Sequence, residues 1–310
     1  MTFSTLSALD TMHDAGPAHR SPAHPRLIAV GVDGSAQSAG TVQYAVDLAA
    51  ERHGRLLVVT ALRVPYGPAD LVAGALDHAQ HAAAARIRLA MSQVQVPPWM
   101  PVDELVTEGD PARVLAEVDA SADVLVIGRH HAEFLSLLFA QPVASAVVVS
   151  AVRPVIVVPP GWDRRPFGNS PIVVALDGET AADAVLDFAF AEAEFRKTSV
   201  WALHVVSNGL DEAGFDAERA NLAEILAGHL QDHPDIRVRM RLVPDDPTEQ
   251  IVRLSTTAGL VVVGEPHRIR GGPRARSIAR TVLDRTRCPL AIVPPLARCV
   301  VREVGSADDR

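Results

Sequence analysis

Cysteine is scarce in this chain: 310 residues contain two, Cys288 and Cys299. Two isolated thiols exclude a disulfide framework and paired thiolate metal ligands, and they suit a reducing cytoplasm. Lysine is scarcer still. Lys197 is the only one among 29 basic Lys and Arg residues, and it lies in Ala193-Glu194-Phe195-Arg196-Lys197-Thr198 with no glycine loop before it, which excludes a Walker-type phosphate loop. Aromatic residues make up 4% and the formal net charge is -8, so nothing attracts nucleic acid or an anionic membrane in general. The longest apolar run, Val143 to Val152, stops at Arg153-Pro154 and is too short to span a bilayer. Neither a G-x-S-x-G elbow nor an H-E-x-x-H helix occurs. The first 25 residues, polar and rich in Ala, His and Pro, lack the pattern of a secretory signal and read as a disordered tail.

What is present is one pattern written twice. Ile28-Ala29-Val30-Gly31-Val32-Asp33-Gly34-Ser35 returns as Ile172-Val173-Val174-Ala175-Leu176-Asp177-Gly178-Glu179. Val124-Leu125-Val126-Ile127-Gly128 returns as Leu260-Val261-Val262-Val263-Gly264. Arg153-Pro154-Val155-Ile156-Val157-Val158 returns as Cys288-Pro289-Leu290-Ala291-Ile292-Val293. Three landmarks in the same order identify a duplicated domain, so any site must be sought in both copies. The expected boundaries are residues 26–160 and 171–295, with 161–170 as a Pro-, Gly- and charge-rich linker and 296–310 as a C-terminal tail. Trp162 and Phe167 are the linker residues expected to pack on a domain.

Within each copy, short Val/Ile/Leu runs without polar alternation read as parallel strands buried on both faces, separated by amphipathic helices. The first helix carries Val42, Ala45, Val46 and Ala49 and ends near Gly54; its counterpart carries Val185, Phe188, Ala189 and Ala193. Strands are expected at Leu56–Thr60 and Val200–Val206, then Val102–Thr107 and Val238–Val243, with helices around Leu76–Met91 and Ala217–Leu230 between them. Asp110-Pro111 and Asp246-Pro247 open another helix with Asp as N-cap and Pro at the first helical position, and Glu249 sits at the capping-box position. The fold class is therefore α/β: two tandem open parallel five-stranded sheets with helices on both faces. Ligands in such sheets bind beyond the carboxyl ends of the strands, so Asp33 with Gly128, and Asp177 with Gly264, should each flank a crevice.

At these residues the chain resembles the universal stress protein family, in its tandem two-domain actinobacterial form. The resemblance rests on Gly31 to Ser35, the strands ending at Gly128 and Gly264, the helix after each, and the closing Pro-Val-Ile-Val-Val-Pro type strand. It implies an adenine-nucleotide site in each domain: the Asp after the first strand and a Val near the end of the second hold adenosine, and a G-x2-G-x9-G-S/T loop wraps the phosphates. Glycines let backbone N–H groups approach phosphate, and the Ser and helix N-terminus complete the anion site.

Both copies depart from that loop. In the first, Gly128 is present, but His131, Gln141 and Pro142 occupy the later Gly, Gly and Ser positions, and proline has no N–H to offer. In the second, Gly264 is followed by His267, Arg276 and Ser277, while Gly271-Gly272 and Arg268, Arg270, Arg274 and Arg276 supply flexibility and charge by another route. Hydrogen bonds to charged groups are worth about 1.5–3 kcal/mol each, and about 1.4 kcal/mol is tenfold in affinity. Loss of two phosphate donors therefore weakens a site by roughly 10²-fold. The second copy is the one expected to hold ATP or another adenine nucleotide, through Asp177, Gly178, Val205, Gly264, Arg276 and Ser277. Asp33, Gly34 and Gly128 mark the eroded first site, where Ala61 takes the place of Val205.

Each feature has a plainer reading. Asp33 and Asp177 also suit a helix-opening turn. His130-His131 lack supporting ligand spacing, so no metal site is expected. The Arg268–Arg276 stretch lacks interleaved aromatics and reads as a solvated loop, so no nucleic-acid partner is expected. Cys288 reads as a small packed residue. The functional reading is a non-enzymatic stress-response regulator with an unidentified protein partner and no membrane partner. A nucleotide-independent interaction module and a weak ATPase are the alternatives. The resemblance further implies pairing of the two domains through their fifth strands, with a homodimer as an extension.

Overall fold

The computed structural model describes residues 26–62, 69–129, 143–162, 170–176, 182–206, 209–244, 246–265 and 278–295. The chain divides into two units, the first ending at Arg164 and the second beginning at Arg165. The expected tails 1–25 and 296–310, Phe167, His130-His131 and the phosphate-loop positions at 131, 141, 142, 267, 276 and 277 lie outside the described residues.

In the first unit the elements run β1 (Leu27–Gly31), α1 (Ser38–Glu51), β2 (Arg55–Leu62), α2 (Ala69–Ser92), β3 (Val102–Glu108), α3 (Pro111–Asp119), β4 (Val124–Gly128), α4 (Val143–Ser150) and β5 (Val155–Val158). The strand order is β3-β2-β1-β4-β5, with every pairing parallel. The second unit repeats it with β6 (Ile172–Leu176), α5 (Ala182–Arg196), β7 (Val200–Val205), α6 (Glu212–Asp232), β8 (Val238–Val243), α7 (Pro247–Leu254), β9 (Leu260–Gly264), α8 (Ile278–Leu283) and β10 (Leu290–Val293). Its order is β8-β7-β6-β9-β10, again parallel throughout.

This order follows from connection handedness. The chain steps one way from β1 to β3 and returns past β1 to β4, and right-handed crossovers then place α3 on the sheet face opposite α1 and α2. Accordingly α1 packs on α2, while α3 packs on α4. Strands covered on both faces need apolar residues at consecutive positions: Ile28, Ala29 and Val30 are fully buried, as are Ile172, Val173 and Val174.

The caps behave as their chemistry dictates. Asp110 Oδ1 accepts from the backbone of Ala112 at 3.0 Å and Arg113 at 3.4 Å, and Asp246 Oδ1 accepts from Thr248 N at 2.7 Å. Glu249 departs from the capping box: its carboxylate meets Arg285 at 2.7 Å instead. That hydrogen bond, reinforced by the charge, raises the Arg285 guanidinium above its usual range. In α5 the buried stripe is Val185, Leu186, Ala189, Phe190 and Ala193, and Phe188 is half-buried. Leu186 and Phe190, one turn apart, complete the buried face beside Val185 and Ala189, which leaves Phe188 at the margin of the stripe.

The two units solve the same lower-edge problem with different side chains. Asp119, wholly buried at the end of α3, accepts from Val152 N at 2.7 Å and Arg153 N at 3.2 Å. At the corresponding place after α7, Ser255 Oγ accepts from Arg287 N at 3.0 Å. Trp162 packs edge-on against the buried Tyr44 ring, centroids 5.2 Å apart, and Cys288 is buried.

Candidate functional site

The carboxyl ends of the central strands define one crevice per unit. In the first, β1 and β4 pair from Ile28↔Val124 to Val30↔Val126, which sets the turn after β1 beside the end of β4 at Gly128. The chain leaves β1 toward β2 and leaves β4 toward β5, and the gap between diverging connections is where open parallel sheets accept ligands.

The turn after β1 is held by its own side chains. Asp33 Oδ1 accepts from Ser35 N at 2.9 Å and from Ser38 Oγ at 2.9 Å. Ser38 is buried at the start of α1, and the formal N-cap, Gln37, makes no side-chain cap bond. The Asp33 carboxylate thus closes the turn and tethers the start of α1 through the Ser38 hydroxyl, a partner that only the distance in space reveals. Gly34 lies in the left-handed region at φ +82°. A Cβ there would stand 2.4 Å from Arg86 Cγ, so the aliphatic stem of Arg86 from α2 rests directly on the turn. Neither Ser38 nor Arg86 stands out in the sequence. Arg86 is separated from Gly34 by all of α1 and β2, and no local periodicity encodes that contact.

Behind the turn, Thr60 Oγ1 donates to the Val32 carbonyl at 2.7 Å, and Val32 N donates to Val59 O at 2.8 Å. Strand register makes His204 the counterpart of Thr60, because Val30↔Val58 and Val174↔Ala202 are equivalent pairs. His204 performs the same task by other means: Nδ1 lies 3.2 Å from the Leu176 carbonyl and Nε2 lies 3.2 Å from Glu218 Oε2. Both ring nitrogens face acceptors, so only the imidazolium donates to both, and a neutral ring donates to one. The residue is 8% exposed, and it ties the end of β6 to α6.

In the second unit β6 pairs with β9 from Ile172↔Leu260 to Ala175↔Val263. The end of β6, followed in sequence by Asp177, is therefore beside Gly264. Val205 closes β7 in register with Val243 and is half-buried. Gly264 and Gly128 hold equivalent places: Glu265 N donates to Val293 O at 2.9 Å, as Arg129 N does to Val158 O at 2.8 Å. Of the expected contacts, Asp33, Gly34, Gly128, Val205 and Gly264 lie at strand ends around the two crevices. Asp177, Gly178, Arg276 and Ser277 lie outside the described residues. Among the described residues no group of three His, Cys, Asp or Glu is placed to hold a metal ion, and no helix is long and apolar enough to cross a membrane.

Comparison with known proteins bears on what these crevices are. The model of the universal stress protein family matches residues 25–159 and again 168–294. A universal stress protein of Mycobacterium tuberculosis is 28% identical over 285 residues, spanning 86% of this chain and 96% of the relative. One from Mycolicibacterium smegmatis is 26% identical over 286 residues, spanning 86% and 97%. Among solved structures, a universal stress protein from Archaeoglobus fulgidus superposes with a TM-score of 0.62 at 16% identity, covering 88% of this chain and 97% of its own. At that identity the superposition establishes a shared fold.

Proposed function

Because the chain belongs to the universal stress protein family, we propose that it is a cytoplasmic, non-enzymatic stress-response regulator whose second crevice holds ATP or a related adenine nucleotide. The observation that carries this reading is the β6–β9 pairing, which brings the strand end preceding Asp177 alongside Gly264 at the point where the connections diverge. Asp177 and Val205 would hold adenosine; Gly178 would let the turn approach it. Arg276 and Ser277 would face the phosphates, the arginine supplying charge where a loop glycine has been lost. Nucleotide would then change the order of the loop after β9, and hence the surface seen by a protein partner.

One observation favours a different reading for the first crevice. Asp33 Oδ1 already accepts two hydrogen bonds within its own turn, and the loop after β4 offers Pro142 in place of a donor. The first copy then serves as structure, and any interaction it makes is independent of nucleotide. Native mass spectrometry of the protein purified from cells tests the proposal. Bound adenine nucleotide that disappears in Asp177→Ala and persists in Asp33→Ala is the expected result. No uptake at saturating ATP would refute nucleotide binding, and ATP turnover above background would refute the non-enzymatic reading.

A further inference from the structure

The duplication supplies an internal control. Any feature of one unit that the other folds without is not demanded by the fold. The outer strand of the second unit carries such a feature. Arg237, Arg239 and Arg241 alternate along and just before β8, so they share one face at a repeat of about 7 Å. All three are exposed. Trp201 of β7 is directly paired with Arg239, and the Arg241 and Arg239 guanidinium carbons lie 4.6 Å and 5.7 Å from its ring centroid. The matching positions of the first unit are Pro101, Asp103 and Leu105, with buried Leu57 in place of Trp201. That unit builds the same sheet without the arginines or the indole.

The row continues into a depression. A cavity of about 780 Å³ at the amino ends of β6, β7 and β8 is lined by Trp201, Arg237, Arg239 and Lys197, the one lysine of the chain, with Asp232 and Asp235 also on its wall. Glu194, also in the lining, is engaged by His233 at 3.2 Å. Among the described residues no carboxylate forms an ion pair with Lys197, Arg237, Arg239 or Arg241. Within the depression Lys197, Arg237 and Arg239 share the wall with three carboxylates, so in a chain of net charge -8 the local run of positive charge is the exposed Arg237, Arg239 and Arg241 row beside the half-buried Trp201.

We infer that this face of the second unit, centred on Trp201, Arg239 and Arg241, binds single-stranded nucleic acid. A strand of phosphates with a matching spacing would track the arginine row, while bases stack on the indole or on the guanidinium groups beside it. The expectation of no nucleic-acid partner rests on the net charge of -8, the 4% of aromatic residues and the Arg268–Arg276 stretch, which lacks aromatics between its arginines. Here the aromatic group is supplied from the neighbouring strand, so the combination exists in space and is absent from the local sequence.

The test is fluorescence anisotropy with a labelled oligouridylate and the intact chain. Binding should weaken with salt with a logarithmic slope of about -2, the value for three phosphates neutralised on a single strand at about -0.7 each. A variant carrying Arg237→Ser, Arg239→Ser and Arg241→Ser should lose at least about tenfold in affinity with an unchanged circular dichroism spectrum. Trp201→Leu, which copies the first unit, should weaken binding while retaining the fold. Asp177→Ala should leave it unchanged, which separates this surface from the nucleotide crevice. Failure to bind, or full binding by the triple variant, would overturn the inference and leave the arginines as protection for an edge strand. Equal competition by polyglutamate would overturn it in favour of an acidic peptide.

Discussion

At Gly34, two constraints coincide. The backbone is at φ +82° and the Arg86 stem occupies the space a side chain would need. Gly34→Ala should therefore destabilise the protein by about 1–3 kcal/mol, read as a lower denaturation midpoint in urea. Adding Arg86→Ala removes the steric part and leaves the conformational part, so the double variant should recover some of the loss. Full recovery would show that backbone conformation costs nothing there; no recovery would show that Arg86 does not rest on the turn. The same residues show the limit of reading sequence. Asp33-Gly34 was visible as a turn because its chemistry is local, whereas Ser38, Thr60 and Arg86 join it only through helix and strand packing. Phe188 lies at the margin of the α5 stripe, because Leu186 and Phe190, one turn apart from each other and two positions to either side of Phe188, fill the buried face beside Val185 and Ala189.

Individual elements were legible where burial on both faces forces apolar runs. The strands β4, β5, β9 and β10 coincide with their Val/Ile/Leu blocks, and Asp-Pro placed the starts of α3 and α7. Ends were less legible: β2 runs from Arg55 to Leu62, because pairing with β3 from Leu56↔Val102 to Leu62↔Glu108 continues beyond the apolar block. At this scale the two copies invite comparison. Asp119 holds two backbone N–H groups from a wholly buried position, and Ser255 holds one. Asp119→Ala should cost about 2–4 kcal/mol, and Ser255→Ala about 1–2 kcal/mol, since each strands donors away from water. Urea unfolding of the two variants checks the ranking, and an equal loss would contradict the view that the carboxylate clamps the α4–β5 connection more firmly than the hydroxyl clamps its counterpart.

For the molecule as a whole, duplication was the strongest message of the sequence, since three landmarks in fixed order required two sheets of one topology and the two strand orders agree. Which copy kept a ligand site depends on side chains whose roles arise from position in space. The proposed division is a structural first crevice, with its Asp33 carboxylate bonded into its own turn, and a nucleotide-holding second crevice at Asp177. Calorimetric titration of the intact chain with ATP tests that division most directly. The account predicts a stoichiometry of about one per chain, abolished by Asp177→Ala and kept by Asp33→Ala; two equivalent sites, or a single site abolished by Asp33→Ala instead, would contradict it.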